Sequence, residues 1–368
     1  WKASTTRASC RKASIKILNM ASTSSLNVVN FEPFLKDKNS KEALEECKKL
    51  AQNIKDTSCL CVKDPRVSEE DNQRFLDMME RYYDQPTESK MKDVHPELSY
   101  QLGATPEGTE VPRDHKDVIQ SYSKDNSAHL PTGADPKWRY FWRIGERPKD
   151  TKFPELNAPP VIPASFPEWT TVMDKWGNLM MQAVRTVCEM LAVGLDLPAD
   201  TFLNLMNQGP HLLAPTGSDL NKFNKVDTIM AGFHYDLNFL TIHGKSRFPG
   251  LFIWLRDGTR VPVKVPDGCL LLQAGKQLEW LTGGVISAGF HEVIVTPDTL
   301  AAVEKAKAEK RPLWRVSSTL FSHVASDQTL KPLGHFATED SLKKYPPTTA
   351  GDQVSEELSH IQLAAPQN

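Results

Sequence analysis

The sequence is poor in several features that mark common protein classes. Only 6 of its 368 residues are cysteines, and they are scattered without the spacing of a zinc site or a disulfide framework. No apolar run approaches the roughly 20 residues that span a bilayer. Positive charge is not in excess, since 44 Lys and Arg stand against 46 Asp and Glu. We therefore expect a cytoplasmic, monomeric protein with no membrane or nucleic-acid partner.

Residues 1–19 differ in composition from the rest of the chain. They hold five Lys or Arg, no acidic residue, and many Ser, Thr and Ala. Transit peptides have this composition, which would make the protein organellar, but upstream or non-native sequence would also fit. Met20 resembles a natural start. We predict that residues 1–25 form a disordered, targeting or non-native extension outside the fold.

The periodicity of apolar residues changes near residue 210. Before it, apolar residues recur at three and four positions over 39–53, 68–83 and 166–195, which predicts amphipathic helices. After it, short apolar runs alternate with Gly, Pro and Asp, which favours an antiparallel sandwich or barrel. The sequence thus indicates an α+β protein with a mainly β core and a helical amino-terminal support.

These patterns divide the chain into regions. Residues 86–136 are polar and too long for an ordinary connection, so we expect a substrate loop. The aromatic segment 138–142 after it is a candidate wall of a substrate pocket. The predicted regions are a mixed α/β support region over 26–205, a β-rich domain over 206–328 with a helical insert at 297–310, and a peripheral tail over 329–368.

Three residues in the β-rich part have the pattern of a metal site. His234 and Asp236 lie two apart at the end of a predicted strand, so their side chains point to one side. His291 begins another predicted strand. Two imidazoles and one carboxylate on one face of a metal form the facial triad of non-haem Fe(II) oxygenases. We predict that His234, Asp236 and His291 are the iron ligands and the catalytic centre.

A second pair of residues suits a dicarboxylic keto acid. Arg315 and Ser317 are two apart on a predicted strand, so they face the same side. Arg315 offers a forked, permanently charged donor for a carboxylate, and Ser317 adds a hydroxyl. With its keto acid end on the metal, such a molecule would place its far carboxylate on this pair.

The order of these motifs resembles the 2-oxoglutarate/Fe(II)-dependent dioxygenase superfamily, especially the branch of isopenicillin N synthase and the plant flavonoid and hormone oxygenases. The likeness covers about residues 27–325. Beyond the triad it includes Pro249–Ile253, Val261–Gly268 and Leu270–Gly275. The sequence departs from the family in three respects. Glu292 stands where the family usually has Arg, a helical insert precedes Arg315, and the Asn-x-Tyr element is missing.

The resemblance implies the fold, the cofactors and the reaction. The fold would be a double-stranded β-helix, also called a jelly roll or cupin-like fold, with the helical support region before it. Fe(II), 2-oxoglutarate and O2 would be required, with ascorbate as an optional stimulant. The substrate would be a small metabolite whose unactivated C–H bond is hydroxylated, desaturated or oxidatively cyclised, with release of succinate and CO2.

Two other functions remain open at this point. One is an isopenicillin N synthase-like Fe(II) oxidase that does not use 2-oxoglutarate, in which Arg315 and Ser317 would bind the substrate carboxylate. The other is a non-catalytic member of the fold that binds a small ligand. A zinc hydrolase is disfavoured because the sequence has no His-Glu-x-x-His helix.

Overall fold

The computed structural model describes residues 26–363, so the prediction for residues 1–25 lies outside the described residues. None of the helices within 26–363 is both long and apolar enough to cross a membrane. The α-helices of this range are α1 Glu32–Lys36, α2 Lys41–Thr57, α3 Glu69–Tyr83, α4 Thr87–Lys90, α5 Lys116–Ser121, α6 Trp169–Gly194, α7 Thr201–Met206, α8 Lys276–Leu281, α9 Pro297–Ala308, α10 Glu339–Lys344 and α11 Ala350–His360.

The strands are concentrated in the second half of the chain, as the sequence pattern predicts. They are β1 Val28–Asn30, β2 Cys59–Lys63, β3 Gly103–Thr105, β4 Trp138–Ile144, β5 His211–Leu213, β6 Thr216–Asp219, β7 Ile229–Tyr235, β8 Leu240–His243, β9 Leu251–Trp254, β10 Arg260–Pro262, β11 Cys269–Ala274, β12 Phe290–Ile294, β13 Trp314–Val316, β14 Thr319–Ser322, β15 Thr329–Leu330 and β16 Thr348–Thr349.

Most of these strands form two sheets. The larger has ten strands in the order β1-β2-β11-β8-β14-β5-β4-β6-β13, with β3 also paired to β4. The smaller has four strands in the order β10-β9-β12-β7. Strands of both sheets line one cavity, so the sheets enclose it between them. Two facing, mainly antiparallel sheets are the architecture of a double-stranded β-helix, which confirms the predicted fold class.

Helices α2 and α6 cover the face of the large sheet that is turned away from the cavity. Ser40 caps α2 by accepting a hydrogen bond from the Ala43 amide. At Gly194 of α6 a Cβ atom would lie 2.2 Å from the Cys47 carbonyl oxygen, so glycine is required where the two helices meet. Trp176 of α6 donates its indole N–H to Ser318 at 2.8 Å, which fixes α6 on the sheet.

The structure adds detail to the regions expected from the sequence and corrects one of them. Strand β13 ends at Val316 and β14 begins at Thr319, and the two pair with different neighbours. The expected substrate loop 86–136 contains short helices and β3. The tail 329–368 is not peripheral over its described part, because Val354 and Leu358 of α11 are buried and that helix closes one side of the cavity.

Candidate metal centre and co-substrate site

The three predicted metal ligands come together where β7 and β12 pair. His234 and His291 are directly opposite in the antiparallel register, and Asp236 follows β7. The Nε2 atoms of both histidines lie 3.7 Å from the same carboxylate oxygen, Oδ1 of Asp236. The three donor atoms all lie within 4.8 Å of one another. Within residues 26–363 it is the one group of three or more His, Cys, Asp or Glu side chains that could hold a metal ion.

Hydrogen bonds on the outer side of this cluster orient the ligands. The Nδ1 atom of His234 lies 2.6 Å from the Gly232 carbonyl oxygen, so Nδ1 carries the proton and Nε2 is left as the ligand atom. Thr241 donates its hydroxyl to Oδ2 of Asp236 at 2.6 Å, which leaves Oδ1 for the metal. Such partners fix ligand geometry and typically change metal affinity by about 10–100-fold.

The electrostatics of the cluster match a site for a divalent cation. Burial, together with the neighbouring His291 imidazole, lowers the pKa of His234 and keeps it neutral. Burial alone would raise the pKa of Asp236, but the two imidazoles and the Thr241 hydroxyl hold it below its ordinary value. The His234 imidazole and the Asp236 carboxylate are therefore in the protonation states that bind a metal.

The donor set and its spacing fit Fe(II). Ligand atoms at right angles around an ion with bonds of about 2.1 Å lie roughly 3 Å apart, so the 3.7 Å from each histidine Nε2 to Asp236 Oδ1 needs only a small contraction. Both histidines and the aspartate line the cavity, which leaves the opposite side of a bound ion open. Open positions beside a two-histidine, one-carboxylate face are typical of non-haem iron oxygenases.

Arg315 lies on the wall of the same cavity and is 6% exposed. Its Nε atom lies 3.4 Å from the Pro249 carbonyl oxygen, and it forms no ion pair within the described part of the chain. Burial lowers the pKa of Arg315 to about 10. A buried guanidinium without a carboxylate is costly, and an anionic ligand in the cavity would compensate for that cost.

Ser317 also lines the cavity, just beyond the end of β13. Its hydroxyl oxygen accepts two hydrogen bonds of 2.9 Å, one from the Thr216 amide and one from the Thr216 hydroxyl. A hydroxyl has two acceptor positions and one donor, so the proton of Ser317 remains available to a ligand. Arg315 and Ser317 therefore present a cation and a hydroxyl donor to one region of the cavity.

The cavity opens to solvent, and several of its walls were not predicted. Arg113 of the substrate loop donates to both carboxylate oxygens of Glu357 at 3.1 and 3.0 Å. Tyr235 donates its phenol to Glu357 at 3.1 Å. These contacts tie the loop and α11 together beside the metal ligands. The ion-pairing partners are more than 200 residues apart, so no local sequence signal could have revealed them.

The predicted aromatic wall is present only in part. Phe141 and Arg139 of β4 line the cavity, whereas Trp138, Tyr140 and Trp142 point into the main core. Alternation along the strand accounts for this division. The sequence did not single out His243, which also lines the cavity and hydrogen-bonds Thr319 at 2.9 Å and Gln273 at 2.9 Å.

Fold and site together define a metal-dependent enzyme of the double-stranded β-helix type, and comparisons with known proteins specify the class. Residues 26–165 match the amino-terminal family of non-haem dioxygenases in morphine synthesis, and residues 209–324 match the 2OG-Fe(II) oxygenase superfamily. The chain belongs to the 2-oxoglutarate/Fe(II)-dependent oxygenase superfamily, in its isopenicillin N synthase-like branch. The matched superfamily is named after 2-oxoglutarate and Fe(II), the two cofactors predicted for this site.

Individual relatives are distant in sequence. A 2-oxoglutarate-dependent dioxygenase of Penicillium fellutanum is 24% identical over 58% of this chain and 60% of that protein. A 2OG-Fe(II) oxygenase family protein from Caulobacter crescentus superposes with a TM-score of 0.72 at 24% identity, covering 92% of this chain and all of that one. A Neurospora crassa protein in complex with alpha-KG superposes with a TM-score of 0.70 at 16% identity, covering 91% of this chain and 96% of that one. At these identities the solved structures support the fold.

Proposed function

We propose that this protein is an Fe(II)- and 2-oxoglutarate-dependent oxygenase that oxidises a C–H bond of a small metabolite, with release of succinate and CO2. The observation that carries the proposal is the coincidence of two sites in one cavity. The donor set of His234, Asp236 and His291 shares the cavity with Arg315 and Ser317. A metal-binding face and a carboxylate-binding pair are the two elements needed to hold a keto dicarboxylic acid.

Each residue has a role that follows from its position. His234, Asp236 and His291 would hold Fe(II), which together with 2-oxoglutarate and O2 supplies the oxidising power of the reaction. Thr241 keeps the Asp236 carboxylate turned toward the metal. Arg315 and Ser317 would bind the distal carboxylate of 2-oxoglutarate through charge-assisted hydrogen bonds.

The remaining cavity walls provide room for a substrate. Phe141, Leu212, Phe321 and Leu358 give an apolar surface. The ion pair between Arg113 and Glu357 holds α11 against the substrate loop beside the metal ligands. Small molecules also bind in structural neighbours, one of which was crystallised with alpha-KG and thymine. Cytoplasmic location and a monomeric state remain predictions from the sequence.

The experiment that tests the proposal is turnover in the absence of a known substrate. Protein purified without oxygen would be given Fe(II), ascorbate and 2-oxoglutarate, and succinate would be measured after O2 is admitted. We expect slow succinate formation that is lost in His234→Ala and in Arg315→Ala. His335→Ala, at an exposed position of the tail, is the matched control and should keep it.

The other outcomes would discriminate between the alternatives. O2 uptake with candidate substrates but without succinate would support an Fe(II) oxidase, which the 2-oxoglutarate-dependent relatives do not favour. A protein that binds no iron would contradict the proposal and leave a ligand-binding scaffold as the best account.

A further inference from the structure

One face of the segment from Arg315 to His323 lines the cavity. Every second residue of this segment lines the cavity, whereas Ser318 between them bonds Trp176 of α6 on the opposite face. The cavity-lining residues are Arg315, Ser317, Thr319, Phe321 and His323. Eight steps of about 3.3 Å could separate the two ends by up to roughly 26 Å. The proposed carboxylate-binding pair occupies one end, so the other end faces the space left for a substrate.

His323 at that other end is buried and has an unsatisfied side chain. The residue is 4% exposed, and its Nδ1 atom is buried without a hydrogen-bond partner. Its backbone amide donates to Nδ1 of His211 at 3.1 Å, but neither of its ring nitrogens has a partner within the described residues. Buried polar groups are nearly always paired, so this ring requires a physical explanation.

The protonation of the ring determines what it can bind. Burial, followed by the charge of Arg143, lowers the pKa of His323 to about 3, so the ring is neutral. A neutral imidazole has one N–H and one bare nitrogen. A buried N–H without a partner is rarer than a bare acceptor, which places the bare nitrogen at the sealed Nδ1 position. The Nε2–H group is then the donor that remains for the cavity.

The surroundings of His323 favour an electronegative partner. Arg143 is buried behind it, and its acceptors are uncharged: the Asn157 side chain and carbonyl oxygens of residues 146, 208 and 209. His211, the other titratable group at this point, has a pKa lowered to about 3 by burial and is also neutral. Asp236 is the acidic group that acts on His323, from the side of the metal site. The positive charge of Arg143 would attract oxygen acceptors and repel cations.

The cavity that His323 lines also has apolar and partly aromatic walls. Phe141 and Phe321 meet edge to face with ring centroids 5.9 Å apart, and both line the cavity. Leu212 and Leu358 complete this surface. A flat apolar molecule could pack here, since aromatic rings prefer edge-to-face or offset contacts with one another.

We propose that His323 is a substrate-specificity residue, whose Nε2–H donates to a carbonyl or carboxylate oxygen on a flat, largely apolar substrate packed against Phe141 and Phe321. This inference rests on the proposed function, because it assigns the substrate end of the same cavity. The substrate would then be an apolar molecule that carries one oxygen acceptor for His323.

Binding measurements with matched probes would test the inference. Naphthalene-2-carboxylate, naphthalene-2-carboxamide and 2-methylnaphthalene would be titrated calorimetrically, without oxygen, into protein loaded with Fe(II) and 2-oxoglutarate. The variants are His323→Met, which removes the donor, His323→Gln, which keeps an N–H donor, and His335→Met as the matched change at an exposed histidine. Comparison of the Kd values of the carboxylate and the carboxamide shows whether the site prefers an acidic substrate or a neutral one with a carbonyl group.

We expect at least one oxygen-bearing probe to bind more tightly than 2-methylnaphthalene. Loss of one hydrogen bond should raise the Kd of that probe roughly tenfold in His323→Met, and His323→Gln should recover part of the affinity. The Kd of 2-methylnaphthalene should be the same in every variant. His335→Met should bind all probes as the unaltered protein does.

The failures of the two proposals can be distinguished. Protein that binds neither Fe(II) nor 2-oxoglutarate would contradict the proposed function. Protein that binds both, but shows no preference for oxygen-bearing probes or the same Kd in His323→Met, would overturn the role of His323. An equal loss of 2-methylnaphthalene binding would also overturn it, since the residue would then be shaping the cavity.

Discussion

Arg315 should lower the stability of the fold but strengthen the binding of 2-oxoglutarate. The substitution Arg315→Met separates these two effects. The guanidinium is buried, forms no ion pair among residues 26–363, and has one long contact to a carbonyl oxygen. The fall of its pKa to about 10 corresponds to roughly 3 kcal/mol of unfavourable desolvation. Methionine has a similar length and no charge, so it avoids this cost.

Without 2-oxoglutarate, Arg315→Met should therefore be the more stable protein. We expect its free energy of unfolding to rise by about 1–3 kcal/mol, as when other buried charges are replaced by apolar side chains. Its affinity for 2-oxoglutarate should fall roughly 100-fold, because a buried carboxylate would lose a charged partner worth about 3 kcal/mol. Added 2-oxoglutarate should stabilise the unaltered protein and leave the variant almost unchanged.

Urea unfolding of the metal-loaded proteins, with and without 2-oxoglutarate, measures both effects in one assay. Arg311→Met is the matched control, because Arg311 is partly exposed and pairs with Glu309 outside the cavity. A variant that is less stable than the unaltered protein would show that Arg315 has a structural partner. A 2-oxoglutarate affinity within about threefold of the original would show that the co-substrate carboxylate binds elsewhere.

Three further changes test other parts of the site. Thr241→Val removes the hydroxyl that holds Asp236 and should weaken Fe(II) binding about 10–100-fold in a chelator competition, whereas an unchanged affinity would make that hydroxyl dispensable. The hydrogen bond to Glu292 raises the pKa of His129, so the charged form of His129 stabilises the fold. The stability lost in His129→Phe should therefore be largest below about pH 6.5 and should shrink as the pH rises through the folded-state pKa. A loss that stays constant from pH 5 to 9 in urea titrations would contradict this. Deletion of 346–368 removes buried apolar side chains of α11 and should lower the free energy of unfolding by at least about 3 kcal/mol. An unchanged urea midpoint would mean that this helix is not docked in solution.

The sequence predicts that His234, Asp236 and His291 cluster because the signal is local. His234 and Asp236 follow the two-residue period of a strand, and His291 begins a strand of its own, so local pattern and residue type were sufficient. Arg315 and Ser317 were found in the same way and do line the cavity. Their assignment as ligands of iron and 2-oxoglutarate stays a prediction until binding is measured.

The parts that were missed depend on contacts between distant segments. Helix α11 has an ordinary amphipathic sequence, and nothing in it indicates that it docks beside β7. Arg113 and Glu357 each look like surface charges until the fold brings them together. Glu292 illustrates the same limit: it follows His291 where the family usually has Arg, and it proves to be a buried partner of His129 and Arg260.

The functional order of the cavity follows from one short alternating segment. Because β13 and β14 are nearly continuous, the residues that face the cavity are fixed by alternation alone, and the intervening residues hold the sheet on α6. Arg315 at one end carries an uncompensated charge, and His323 at the other carries an unsatisfied neutral ring. Both features are unfavourable on their own and become favourable when oxygen acceptors bind. An insertion of one residue between Val316 and Thr319 would reverse the alternation beyond it, so it should abolish substrate binding while leaving Arg315 on its own strand.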